Sequence, residues 1–141
     1  MMGGNRLFVD TGAWVAVVDP RDQYHRPASA YYRRVFTRQV RFITTNLVVA
    51  ETYTLLRRRS GPRVAIGFLD RLRASPRLFK VHSTPELEAE AEEILSKYAD
   101  QALSYVDAVS FAVMKDQELQ TAFAFDDHFE VMGFIRQPQT G

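Results

Sequence analysis

Residues 6–19 read RLFVDTGAWVAVVD, and this stretch decides the fold class. Its first half, Arg6–Asp10, is a short apolar run of strand length that ends on an acidic residue. Its second half, Thr11–Asp19, is apolar and continues as a helix. A buried strand that leads directly into a helix is the repeating unit of α/β proteins, in which helices cover both faces of a parallel sheet.

The same alternation continues to the end of the chain, without an internal repeat or a linker. The predicted strands are Arg6–Asp10, Arg41–Thr44, Leu78–His82 and Thr121–Phe125, and the predicted helices are Thr11–Asp19, Tyr24–Arg38, Asn46–Arg59, Pro62–Ala74, Pro85–Tyr98 and Ser104–Gln117. Asn46 and Ser104 are suitable N-cap residues, and Thr84-Pro85 places a cap before a proline at the first helical position. Because the chain has 141 residues, we expect a single α/β domain over 1–141 that consists of a central parallel sheet flanked by helices.

The composition excludes several classes of site. The chain has no cysteine, which removes disulfides, thiolate zinc sites and cysteine nucleophiles and favours a reducing compartment. The longest clean apolar run, residues 13–18, is too short to cross a bilayer. The first residues show no signal-peptide pattern. We therefore expect a cytoplasmic protein without a membrane partner.

The net charge of +1 conceals a strong asymmetry along the chain. Residues 1–80 contain 14 Arg and 1 Lys against 5 acidic residues, whereas residues 81–141 contain 1 Arg and 2 Lys against 12 acidic residues. Arginine suits bidentate contacts with phosphate, so the first half is suited to nucleic acid. Solvated helix faces, or pairing with the acidic half, explain the same composition, and both readings remain open.

Four carboxylates lie in otherwise apolar surroundings near strand ends and helix starts. They are Asp10, Glu51, Asp107 and Asp126. A charge in such a setting is costly unless something offsets it. In an open parallel sheet, ligands gather at the carboxyl ends of the strands, so we expect an acidic pocket there. Oxygen ligands favour Mg²⁺ or Mn²⁺, and the absence of cysteine and of clustered histidine argues against zinc.

Each carboxylate also has a structural alternative. Asp10 could be the N-cap of the helix that follows it. Glu51 lies on the apolar face of its helix, in the first turn, where a buried ion pair with arginine would also account for it. Asp107 is the only charge between Ser104 and Met114 in a helix that is apolar nearly all round. Such a residue is expected to have a partner or a metal.

The segment after the fourth strand leaves one choice open. Asp126 and Asp127 are adjacent, and either could simply form a turn; Asp126 is preferred because it is closer to the strand. His128 is the one histidine near enough to warrant a test. Thr11 could hydrogen-bond a ligand carboxylate or a phosphate, as could Ser104, although both are also good caps.

The pattern resembles the PIN-domain nucleases, and within them the VapC-type toxin ribonucleases of prokaryotic toxin–antitoxin pairs. The matching pieces are Val9–Thr11, Thr45–Glu51, Leu103–Ala108 and Phe125–Phe129, with intervals of 41, 56 and 19 residues between the four acids. The resemblance implies that Asp10 and Asp107 are the principal Mg²⁺ ligands, completed by Glu51 and Asp126, with Thr11 and Ser104 in support. It also implies a homodimer and a small antitoxin partner. Asp127 departs from the family, where a basic residue is common.

These features predict an endoribonuclease that hydrolyses RNA phosphodiester bonds with Mg²⁺, or with Mn²⁺ as a substitute. The predicted RNA contacts are Arg57, Arg58, Arg59 and Arg63, with Arg33, Arg34 and Arg38 on the preceding helix. Phosphoryl-transfer domains with an aspartyl nucleophile are a poorer match, because Gly12 stands where the haloacid dehalogenase-like enzymes carry a second Asp. The remaining alternative is a catalytically silent PIN-like scaffold that binds RNA or protein.

Overall fold

A computed structural model describes residues 5–139, which form a five-stranded parallel sheet flanked by helices. The elements in chain order are β1 (Arg6–Val9), α1 (Thr11–Val18), α2 (His25–Thr37), β2 (Arg41–Thr45), α3 (Asn46–Ser60), α4 (Pro62–Ala74), β3 (Leu78–Val81), α5 (Pro85–Lys97), α6 (Tyr105–Asp116), β4 (Thr121–Phe123), α7 (His128–Val131) and β5 (Ile135–Gln137). The predicted α/β class with a parallel sheet is confirmed. No helix in this part of the chain is long and apolar enough to span a membrane.

The strand order, β3-β2-β1-β4-β5, places β1 at the centre of the sheet. β1 pairs with β2 on one side, where Phe8 is opposite Ile43, and with β4 on the other, where Phe8 is opposite Ala122. The chain thus builds outward from β1 in one direction and later returns to its other side. The carboxyl ends of β1, β2 and β4 consequently meet at one place, where a doubly wound sheet binds its ligand.

Two elements were not predicted. The first is β5, which contains a single apolar residue, Ile135, and so lacks a strand pattern. The second is α7, which is too short at four residues for helical periodicity to register. β4 is also shorter than predicted, so Ala124 and Phe125 separate it from Asp126. The backbone of Ala124 still donates a hydrogen bond to Gln137 on β5.

Aromatic packing fixes the segments around the carboxyl ends of the strands. The ring of Phe129 on α7 lies 6.4 Å from that of Phe8 on β1 and 5.0 Å from that of Phe111 on α6, and all three side chains are fully buried. Residues 108–114 of α6 are buried without exception. The start of α6 and the loop after β4 are therefore held against the central strand.

Candidate metal centre

Asp10 directly follows β1 and occupies the N-cap position of α1, but its carboxylate makes no capping hydrogen bond. Its backbone N–H donates to Phe123 at the end of β4, and the residue is only 6 % exposed. Burial, followed by the charge of Asp107, raises the pKa of Asp10 from 3.8 to about 7, with smaller contributions from Asp126 and Glu51. The Asp10 side chain is therefore buried close to other carboxylates and does not cap α1, although its backbone occupies the N-cap position.

Glu51 lies in the second turn of α3, which corrects the expected position in the first turn. The hydroxyl of Thr11 donates a hydrogen bond to Glu51 Oε1 at 2.6 Å. Within residues 5–139 no arginine lies within ion-pairing distance of Glu51, so the alternative of a buried ion pair is not supported there. The N-cap of α3 is Thr45, not the predicted Asn46, because Thr45 Oγ1 accepts from the Val48 N–H at 3.0 Å.

Asp107 and Ser104 form a reciprocal capping box at the start of α6. The Ser104 backbone N–H donates to Asp107 Oδ2 at 3.0 Å, and the Asp107 N–H donates to Ser104 Oγ at 3.0 Å. Burial raises the pKa of Asp107, as do the charges of Asp126 and Glu51, while the Ser104 hydrogen bonds lower it. The box uses one carboxylate oxygen, so the other stays available for a ligand.

Asp126 lies within this group of acids, and Asp127 does not. The Asp126 charge contributes to the raised pKa values of both Asp10 and Asp107, whereas Asp127 contributes to neither and has an exposed side chain. Asp126 Oδ1 accepts a hydrogen bond from the His128 backbone N–H at 2.9 Å. The predicted preference for Asp126 over Asp127 agrees with this placement.

His128 joins the cluster, which the sequence raised only as a possibility. One ligand atom each from Asp107, Asp126 and His128 lie within 4.8 Å of one another. His128 Nδ1 is 2.9 Å from Asp126 Oδ1 but is buried and makes no hydrogen bond within the described residues. The signal in the sequence was its position two residues after Asp126.

The donor set fits a divalent cation. The charges of Glu51 and Asp126 help to raise the pKa values of Asp10 and Asp107, and a bound cation would relieve this repulsion. Their oxygens suit Mg²⁺ or Mn²⁺, and the single imidazole nitrogen of His128 is also compatible with Mn²⁺. The cluster, which we call the acidic site, consists of Asp10, Glu51, Asp107 and Asp126, with His128 beside it.

The arginines predicted to contact RNA differ in their surroundings. Arg57, Arg58 and Arg63 are exposed. Arg59 instead pairs with Asp22 at 3.1 Å and with the buried Asp19 at 4.0 Å, which ties α3 to the segment after α1. Arg58 follows Glu51 by seven residues and so shares its face of α3, two turns further on.

The PIN-domain family matches residues 7–135 of this sequence. The chain belongs to the PIN-domain family. This PIN domain is 37 % identical over 129 residues to the 23S rRNA-specific endonuclease VapC20 of Mycobacterium tuberculosis, in strains CDC 1551 and H37Rv. The alignment covers 92 % of this chain and 95 % of that protein.

Solved structures also match the fold of this chain. The crystal structure of M. tuberculosis VapC20, a Sarcin-Ricin loop cleaving toxin, superposes on this PIN domain with a TM-score of 0.84 and 36 % identity, covering 92 % of this chain and 96 % of that one. VapBC2 from Rickettsia felis, bound to a promoter DNA fragment, gives a TM-score of 0.68 at 12 % identity over 94 % and 97 % of the chains. FitAcB from Neisseria gonorrhoeae gives a TM-score of 0.67 at 16 % identity, covering 92 % of this chain and 95 % of that one. At those identities the last two show the fold alone.

Proposed function

We propose that this PIN domain is a Mg²⁺-dependent endoribonuclease, and that it is the toxin of a cytoplasmic toxin–antitoxin pair. The observation that carries the proposal is the convergence of four carboxylates from separate segments, one of them almost fully buried, at the carboxyl ends of β1, β2 and β4. A purely structural role does not explain why a stable fold would gather acids that disfavour one another's ionisation.

In this proposal Asp10 and Asp107 hold the cation, and Glu51 and Asp126 complete the site. When bound, Mg²⁺ would lower the pKa of a water and stabilise charge on the phosphodiester oxygens. The protein's own contribution is orientation: Thr11 fixes Glu51, and Ser104 fixes Asp107. Cation binding would also displace the proton that burial favours on Asp10.

The proposed substrate is structured ribosomal RNA, because the relative at 37 % identity is a 23S rRNA-specific endonuclease. Arg57, Arg58 and Arg63 are the proposed phosphate contacts near the site, since they are exposed and Arg59 is already paired. A homodimer and a small antitoxin protein are the proposed assembly partners, as the resemblance to VapC toxins implies.

The test is cleavage of purified ribosomal RNA with Mg²⁺ or Mn²⁺ and with EDTA. We expect metal-dependent cleavage that is lost in Asp10→Ala and Asp107→Ala but retained in Asp127→Ala, the matched control for an acid outside the cluster. Equal cleavage by all variants would identify a contaminant. No cleavage, with no rise in melting temperature on adding Mg²⁺ or Mn²⁺, would instead support the catalytically silent scaffold.

A further inference from the structure

Three arginines stand side by side at the edge of the sheet opposite the acidic site. Arg6 begins β1 and is in register with Arg41, which begins β2. Arg77 precedes β3 and is the neighbour of Arg41, because the next residues, Phe42 and Leu78, are paired. Neighbouring strands are about 4.8 Å apart, so the three Cα atoms span roughly 10 Å.

This row lines an open cleft. One cavity of about 560 Å³ is bordered by Arg6, Arg34 and Arg38, and a second of about 830 Å³ by Arg6, Arg38, Arg41 and Arg77. The two cavities share Asn5, Arg6 and Arg38 and are therefore adjacent. We call them together the arginine cleft. Its walls carry five arginines and one carboxylate, that of Glu118.

Within residues 5–139, none of these five arginines has an acidic group within ion-pairing distance. Four of the five guanidinium groups contact neutral partners instead. Arg6 donates to the Gln117 carbonyl at 2.9 Å, and Arg77 donates to the Phe36 carbonyl and lies 4.5 Å from the Phe36 ring centroid. Arg41 and Arg34 lie over the rings of Phe79 and Tyr31.

Such contacts hold a guanidinium in place but leave its charge uncompensated, because carbonyl groups and aromatic rings carry no net charge. Each contact also uses few of the five N–H donors of the guanidinium, so the others stay available. Like charges directly opposite each other on neighbouring strands also oppose folding. Elsewhere on the protein Arg21, Arg59, Arg73 and Arg136 have acidic partners, whereas Arg57, Arg58 and Arg63 have none among the described residues. The cleft differs in that five arginines without an acidic partner in residues 5–139 line one surface. The arginine cleft is therefore a concentration of positive charge that the fold itself leaves uncompensated.

We propose that the arginine cleft binds the phosphate backbone of a second segment of the same folded RNA that is cut at the acidic site. The inference rests on the proposed ribonuclease function and extends it to substrate selection. Asp10 is four positions after Arg6, about 13 Å along the extended chain of β1. An RNA that engages both edges of the sheet must therefore be folded around the domain, whereas a short oligonucleotide reaches one edge.

The test uses the double variant Arg38→Gln/Arg41→Gln, which replaces two exposed arginines of the arginine cleft. The matched control is Arg71→Gln/Lys97→Gln, which removes the same charge from two exposed residues that line neither cavity and have no acidic partner among the described residues. Binding to intact ribosomal RNA is measured in EDTA between 50 and 300 mM salt, and cleavage with Mg²⁺ is measured on that RNA and on a short single-stranded RNA. The melting temperature is recorded for every protein.

We expect the cleft variant to bind ribosomal RNA roughly tenfold more weakly, with a salt dependence reduced by about two phosphate contacts, while the control is unchanged. Its cleavage of ribosomal RNA should fall more than its cleavage of the short RNA, which reaches only one edge of the sheet. Its melting temperature should stay the same or rise, because like-charge repulsion is removed; a merely structural pair of arginines would lower it. Equal losses of RNA affinity in the cleft and control variants, or none in either, would overturn the inference.

The two proposals fail in different ways. If the wild type cleaves no RNA but the cleft variant alone loses affinity in EDTA, the ribonuclease proposal falls and an RNA-binding cleft remains. If the wild type cleaves both RNAs and the cleft variant does so equally well with unchanged affinity, the ribonuclease stands and the arginine cleft has no part in substrate binding.

Discussion

Thr11 Oγ1 and Glu51 Oε1 are joined by a hydrogen bond of 2.6 Å, which connects the first turn of α1 to the second turn of α3. Thr11 is 6 % exposed and stands next to Asp10 in the chain. A short bond from a buried hydroxyl to a carboxylate is among the stronger kinds in proteins. It fixes where one carboxylate of the acidic site stands relative to another.

Replacing Thr11 with Val should therefore impair the site more than the fold. Losing a hydrogen bond to a charged group corresponds to about 1.5–3 kcal/mol, so we expect kcat/KM for RNA cleavage to fall by at least roughly tenfold. Thr11→Ser keeps the hydroxyl and should retain most activity. Initial rates at subsaturating RNA provide the measurement. If Thr11→Val and Thr11→Ser are equally active, the hydroxyl has no such role.

The protonation of Asp10 predicts an unusual pH dependence of stability. Its pKa is about 7 in the folded protein and 3.8 ordinarily, so the folded state holds this proton more tightly. The resulting stabilisation is complete below about pH 4 and is lost as the pH rises through 7. A pKa shift of this size contributes at most about 4 kcal/mol to the free energy of unfolding.

Asp10→Asn isolates this effect, because its amide does not titrate. In EDTA at pH 8 we expect the variant to be more stable than the wild type by a few kcal/mol, and at pH 4 the two should be nearly equal. Urea unfolding at several pH values measures the difference. Adding Mg²⁺ at pH 8 should stabilise the wild type much more than the variant. Parallel pH profiles for the two proteins would contradict the assignment.

The capping box predicts that the Ser104 hydroxyl affects stability but not metal binding. Ser104→Ala removes an N-cap and should cost about 1 kcal/mol of unfolding free energy. The Asp107 carboxylate accepts from the Ser104 backbone N–H, which alanine retains, so Mn²⁺ affinity measured by calorimetry should stay unchanged. Thr84 caps α5 in the same way, through a 3.2 Å bond from the Leu87 N–H, and Thr84→Ala should lose similar stability. A fall in Mn²⁺ affinity for Ser104→Ala, but not for Thr84→Ala, would show that the Ser104 hydroxyl itself contributes to the acidic site.

Gln39, in the turn between α2 and β2, has a φ of 59°, a left-handed conformation that favours glycine. The left-handed region costs a residue with a Cβ about 1–2 kcal/mol, which the larger entropy of an unfolded glycine partly offsets. Gln39→Gly should therefore raise the unfolding free energy by roughly 0.5–1 kcal/mol, measured by urea denaturation. Gln39→Ala keeps the Cβ and should show no gain; a gain in that variant would point to a different cause.

The sequence predicted the fold well where elements were long or punctuated. α4 was placed at its observed bounds because Pro62 begins it, and the starts of α1, α3 and α5 were also placed correctly. The failures lie near the carboxyl end. β5 is held by pairing with β4 rather than by its own composition, and α7 has only one buried residue, Phe129. Tertiary context, not local propensity, defines both.

The sequence pointed to the four carboxylates that the structure brings together, but not to the hydrogen bonds that hold them. Asp10 and Asp107 stood out because each is a lone charge in apolar sequence. That Thr11 would donate to Glu51 depends on the contact between α1 and α3, which no local pattern encodes. The same holds for the arginine row, since Arg6, Arg41 and Arg77 come together only through strand register.

The central position of β1 has a consequence for how the protein is made. β1 emerges from the ribosome before the other described strands but pairs with β4, more than 110 residues later. A nascent chain that has exposed residues only as far as Asp100 contains Asp10 and Glu51 but lacks Asp107, Asp126 and the strand that closes the sheet beside them. The four carboxylates can therefore assemble only after β4 has left the ribosome, and until then the acidic site is incomplete.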